Sequence, residues 1–209
     1  VPLLARAVTG LGLPGRSYDL VARDLALVSG GFSAHIDTGS TVDGRTGAYL
    51  LFRLKALRPT LPAALDLAAA LLERADLTDL GRLADLLRES RNRLRASVIP
   101  GGSRYAALRA GARLRLPLSL EEEWEGVTQV LFQLSLDLER GVEAIAGALA
   151  SLRAALLRGP AAVGLTGEDL EDVEGLLDPL GGDRADGGLP GSAEALPGAG
   201  QEALLIPSP

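Results

Sequence analysis

No cysteine and no methionine occur among the 209 residues. The first absence removes disulfides, thiolate metal sites and cysteine nucleophiles, and leaves the redox compartment open. Histidine appears once, at His35, and lysine once, at Lys55. A single imidazole with no thiolate falls short of the three or four protein ligands of a usual zinc site. Aromatic residues make up only 3% of the chain, so Leu and Ala must carry the packing, and that favours helices. A positive excess is missing as well: 21 basic against 27 acidic residues give a net charge of −6. That balance speaks against a nucleic-acid partner, and the arginine bias reads instead as the trace of a GC-rich genome. No apolar run approaches the roughly 20 residues that cross a bilayer, so no membrane partner is expected. The start Val1-Pro2-Leu3 carries neither a methionine nor a basic signal region, which leads us to expect a processed product or an excised piece.

What is present is periodic. Leu3, Leu4, Ala7 and Val8 have helical spacing that Gly10 and Gly12 stop. Ser17 can cap a second helix through Leu20, Val21, Asp24, Leu25 and Val28, closed by Gly30-Gly31. Phe32 to Ile36 alternates as a half-buried strand does, Thr38 to Gly47 reads as a turn, and Ala48 to Ala56 alternates again. Together they predict an antiparallel hairpin. After Pro59 helical spacing takes over, with helices predicted over Leu61 to Arg74 and Leu80 to Val98 and a third from Ser103. Ser119 is read as the cap of an acidic helix start at Glu121-Glu122-Glu123, continued by Val127, Val130, Leu131, Leu134 and Leu138. Another helix holds Val142 to Leu156. A short strand is expected over Ala161 to Leu165, and a last helix from Thr166 to Leu180. Residues 181–202 are a Gly/Pro-rich stretch read as a flexible linker, and residues 203–209 read as an opening strand.

Four features could carry chemistry. Gly10, Gly12 and Gly15 satisfy G-x-G-x-x-G, with Asp37 near the position of a ribose-binding acid. The segment before Gly10 has helical spacing, however, Pro14 sits in the loop, and a hairpin follows, so a plain helix connection is the simpler reading. Ser33, His35 and Asp37 share one face of the first strand, with Ser40 nearby, and a solvated face is expected. Glu121 to Glu125 lacks the alternating spacing of a calcium loop and reads as a helix N-terminus. Arg82, Arg88, Arg91, Arg93 and Arg95 form a stripe that could meet an acidic partner but reads first as the solvated face of a helix, with Glu89 and Arg93 paired at i,i+4. Tyr105 and Trp124 lie beside apolar positions and read as packing residues.

A collinear series of segments resembles the third domain of presequence proteases, a branch of the pitrilysin superfamily. It runs through Gly10-Leu-Gly12, Tyr18-Asp19-Leu20, Ser29-Gly30-Gly31-Phe32 and the Leu50-to-Ala56 strand. It continues through Asp79 to Glu89, Gly102-Ser-Arg-Tyr105-Ala106, Ala110, Trp124-Glu-Gly126, Phe132, Leu136 and Ala162 to Gly167, and Glu202 to Pro207 resembles the strand that opens the fourth domain. The resemblance implies a chain of four α+β domains, two per half, whose zinc sits in the first domain on an inverted H-x-x-E-H and a distal glutamate. No H-x-x-E-H occurs here, so the resemblance transfers no catalytic, cofactor-binding or metal-binding residue. Family domains open with a strand before the first helix. This chain opens on the helix, so an exposed sheet edge and self-association are expected.

The expected fold is therefore α+β: a helix-rich two-layer sandwich, its antiparallel or mixed sheet covered by helices on one face, spanning residues 1–180. The expected function is a non-catalytic structural domain in the C-terminal half of the peptide-degrading chamber of a zinc metalloendopeptidase. Its partners would be the other pitrilysin-type domains of the same chain and the parent's unstructured peptide substrate. A cytoplasmic location is expected of a bacterial parent. The alternatives are a stand-alone pseudo-peptidase subunit that binds a catalytic partner, and a dinucleotide-binding oxidoreductase using Gly10, Gly12 and Gly15.

Overall fold

Leu3, Leu4, Ala7 and Val8 occupy the buried side of α1 (Pro2–Gly10), as their spacing dictates. The structure is a computed structural model that describes residues 1–40, 46–159 and 161–167. After α1 come α2 (Tyr18–Val28), β1 (Gly31–Ser40) and β2 (Thr46–Lys55), then a 3-10 turn at Arg58–Thr60. The remainder is helical: α3 (Leu61–Arg74), α4 (Leu80–Val98), α5 (Gly102–Gly111), α6 (Leu116–Glu125), α7 (Val127–Ser135) and α8 (Val142–Arg158). The α+β expectation holds. Among the described residues the sheet is the hairpin alone, purely antiparallel, with Phe32 opposite Leu54 and His35 opposite Leu51.

A two-stranded hairpin is marginal by itself in water. Here α1, α2, α3 and α6 pack against it. Phe32 and Phe52, stacked at 5.9 Å between ring centroids, face the main core. That core is built from Leu3, Leu4 and Val8 of α1, Leu71 of α3, Leu83, Leu86 and Leu87 of α4, and Leu149 of α8. Helix α4 is the spine. Its 19 residues span about 28 Å at the usual rise, so its first half lies in the main core. Its last turn enters a second, smaller cluster of Val98, Tyr105 and Val130. Asp79 caps it by accepting the Arg82 amide at 2.9 Å. The Tyr105 hydroxyl and Ser97 Oγ, 2.8 Å apart, tie α5 to the far end of α4.

Three local expectations fail. Ser119 does not start a helix: α6 begins three residues earlier at Leu116, with Pro117 in its first turn, where the missing amide costs nothing. The helix expected to continue to Leu138 breaks at Gly126 into α6 and α7, and Leu138 lies buried in the turn before α8. Ala161 to Leu165 forms no strand. The helix expected to run to Leu180, the linker and the last strand lie outside the described residues, as do positions 41–45 of the hairpin turn.

Candidate functional site

The glycine-rich segment is a connector. Leu13 and Arg16 exchange backbone hydrogen bonds of 3.0 and 2.8 Å around Pro14-Gly15, and Gly15 takes a positive φ of 75°. Proline followed by a left-handed glycine is the signature of a type II turn. Gly12 leads into it, and a Cβ there would stand 2.3 Å from the Arg16 carbonyl oxygen. The helix α1 precedes the motif where a nucleotide-binding loop requires a strand. Gly12→Ala is accordingly expected to lower stability by about 2 kcal/mol or more. A urea midpoint equal to wild type would contradict the close approach drawn here.

His35 is half-buried in β1, with Ser33 and Asp37 exposed on the same face. Among the described residues no hydrogen bond joins the three, and successive same-face strand residues stand about 7 Å apart. Nor do the described residues bring together three or more histidine or carboxylate side chains at metal-binding distance. The donor set of this chain therefore does not fit the zinc that the pitrilysin resemblance implies, and no step passes through that ion here.

The acidic run is not a helix N-terminus, because Glu121 to Glu125 form the last half of α6. Glu121 and Glu125 both face Arg104, at 3.6 and 2.8 Å. They also line, with Ile36, Asp37 and Thr38, a shallow cleft of about 160 Å³. Glu122 has turned inward. Its side chain is only 5% exposed and meets the Arg109 guanidinium at 3.1 Å. Its carboxylate accepts the Thr128 amide at 3.1 Å and the Thr128 hydroxyl at 2.8 Å. The residue thus caps the first turn of α7 from the preceding helix, where side-chain caps usually come from the residue just before it. Gly126 makes this possible, since a Cβ there would lie 2.5 Å from the Glu122 carbonyl oxygen.

Helix α7 then presents an inverted pattern. Gln129 and Gln133 are buried, and Gln133 accepts a buried 2.8 Å hydrogen bond from Ser90 of α4. Leu131, Phe132 and Leu134, the first and last of them predicted as inward, are exposed at 51%, 50% and 41%. Leu114 adds a further exposed apolar side chain at 75%. The basic stripe of α4 is only partly solvated. Arg88 pairs with Asp85 at 2.9 Å, whereas the predicted Glu89–Arg93 pair is replaced by contacts from Glu89 to Arg82 at 3.5 Å and to Arg6 at 3.7 Å.

The profile of the family described as peptidase M16 (subfamily C) associated matches residues 1–136, which takes in α1 to α7. The chain belongs to this peptidase-associated family. Curated proteins give no match to it. As a peptidase-associated domain of that subfamily the chain is a pitrilysin-type, non-catalytic companion of a peptidase unit. The whole hairpin–helix framework, the Glu122 cap and the outward face of α7 lie within the matched residues.

Proposed function

We propose that this domain forms part of the wall of the peptide chamber in a presequence-protease-like zinc metalloendopeptidase, and that α7 is one of its docking faces toward the rest of the parent chain. The observation that carries the docking role is the inverted helix: glutamines buried, Leu131, Phe132 and Leu134 outward. Apolar residues gathered on one exposed face are the mark of a surface that another surface covers. The membership in a peptidase-associated family supports the choice of that covering surface as a pitrilysin-type domain. The catalytic zinc belongs to another domain of the parent, and closure of the chamber limits substrates by size.

The test is cleavage of an internally quenched peptide by this chain alone and by the parent, each with and without chelator. Only the parent should cleave, and chelator should stop it. Phe132→Asp in the parent should lower kcat/KM by about tenfold, the scale of losing an aromatic anchor from an interface, with the thermal melting of the isolated chain unchanged. Chelator-sensitive cleavage by the chain alone would refute the non-catalytic reading and return attention to His35. Wild-type kcat/KM in the Phe132→Asp parent would remove α7 as a docking face.

A further inference from the structure

Where α1 crosses α4, three guanidinium groups gather around one carboxylate. Arg82 is held in place twice: its Nε donates to the Gly10 carbonyl at 3.1 Å, and its guanidinium lies over the Tyr18 ring at 4.1 Å from the centroid. Such bonding and stacking fix the planar fork before any ligand arrives. Glu89 faces Arg82 and Arg6 at 3.5 and 3.7 Å, the outer limit of hydrogen bonding, so their donors are far from saturated. The Arg6 Nε is buried and has no hydrogen-bond partner, an arrangement that calls for an acceptor. Arg93, exposed one turn beyond Glu89, has no ion pair among the described residues. Burial first, and then the neighbouring charge of Arg93, lower the Arg6 pKa below its ordinary value, with Glu89 opposing. A chain of net charge −6 thus concentrates an uncompensated positive charge at one crossing.

We propose that Arg6, Arg82 and Arg93 bind the carboxylates of an acidic peptide segment, with Glu89 as the internal carboxylate that the ligand joins or displaces. Carboxylate is favoured because the site already holds one, and because guanidinium forks match its planar pair of oxygens. The site is independent of the α7 face, and its test does not use peptidase activity.

The probe is a fluorescently labelled hexaglutamate peptide, titrated into the full chain at low salt and followed by anisotropy, with inorganic phosphate as competitor. Wild type should bind, and Arg93→Gln should weaken binding by about tenfold, the scale of one charge-assisted contact. Glu89→Gln should tighten it by about fivefold by removing the internal competitor. Arg88→Gln, whose side chain is paired with Asp85, should change it less than twofold. Arg93 is exposed and unpaired, so its variant keeps the fold, and unchanged thermal melting verifies this. Equal affinity in Arg93→Gln, equal weakening in Arg88→Gln, weaker binding in Glu89→Gln, or phosphate binding more tightly than the peptide would each overturn the assignment.

Discussion

Leu83→Ala is expected to destabilise the domain by about 3 kcal/mol in urea denaturation, with an unchanged m-value. The side chain is 1% exposed and lies in the main core, where helix α4 meets α1 and the other core helices. Truncation removes three carbons from a region too tightly linked to collapse, so the lost transfer energy and the cavity add. For a domain of ordinary stability that is a fifth to a half of the total. Leu131→Ala supplies the contrast: the same chemical change at a residue 51% exposed should stay within about 0.5 kcal/mol. The pair separates residues that hold the fold from residues that await a partner. Equal losses at the two positions would mean that α7 contributes to the core of this chain, and the docking role would fall with it.

That contrast also marks how far the sequence could be read. Helices α3 and α4 were legible to their terminal residues, because proline near one start, an aspartate cap at the other and unbroken apolar spacing all agree. The hairpin was legible from its alternation, though β1 runs four residues past the predicted end, through Thr38, Gly39 and Ser40, where no apolar pattern signals a strand. The α6–α7 break was hidden because an isolated glycine is tolerated within a helical pattern, so spacing alone carried the helix across Gly126. What decides the break is the inward turn of Glu122, a contact between helices rather than a local preference. The inverted face of α7 was hidden for a related reason: apolar periodicity says which residues share a face, not which surface covers it. The expectation that this chain carries no catalytic residue rests on composition, one histidine and no cysteine. The arginine cluster escaped notice because Arg6 lies on α1, far along the chain from Arg82 and Glu89, and only the fold brings them together.

Glu122→Ala should cost about 3 kcal/mol, a large loss for a residue that reads in the sequence as one of four surface glutamates. Three partners lose their acceptor at once: the Thr128 amide in the first turn of α7, the Thr128 hydroxyl, and Arg109, itself only 35% exposed. Loss of a helix cap contributes about 1 kcal/mol, and removing the carboxylate from a largely buried charge pair contributes the larger part. Glu122→Gln keeps an acceptor for the amide but gives up the charge, so about half the loss is expected. Glu123→Ala, at an exposed neighbouring position, should be close to neutral. The effect should also reach function, because Glu122 fixes the corner from which α7 projects. In the parent peptidase, Glu122→Ala should therefore lower peptide cleavage at temperatures where the isolated domain is still folded. A Glu122→Ala domain within about 0.5 kcal/mol of wild type would show that Gly126 and the packing of Val130 set the corner by themselves. The carboxylate would then be a passenger.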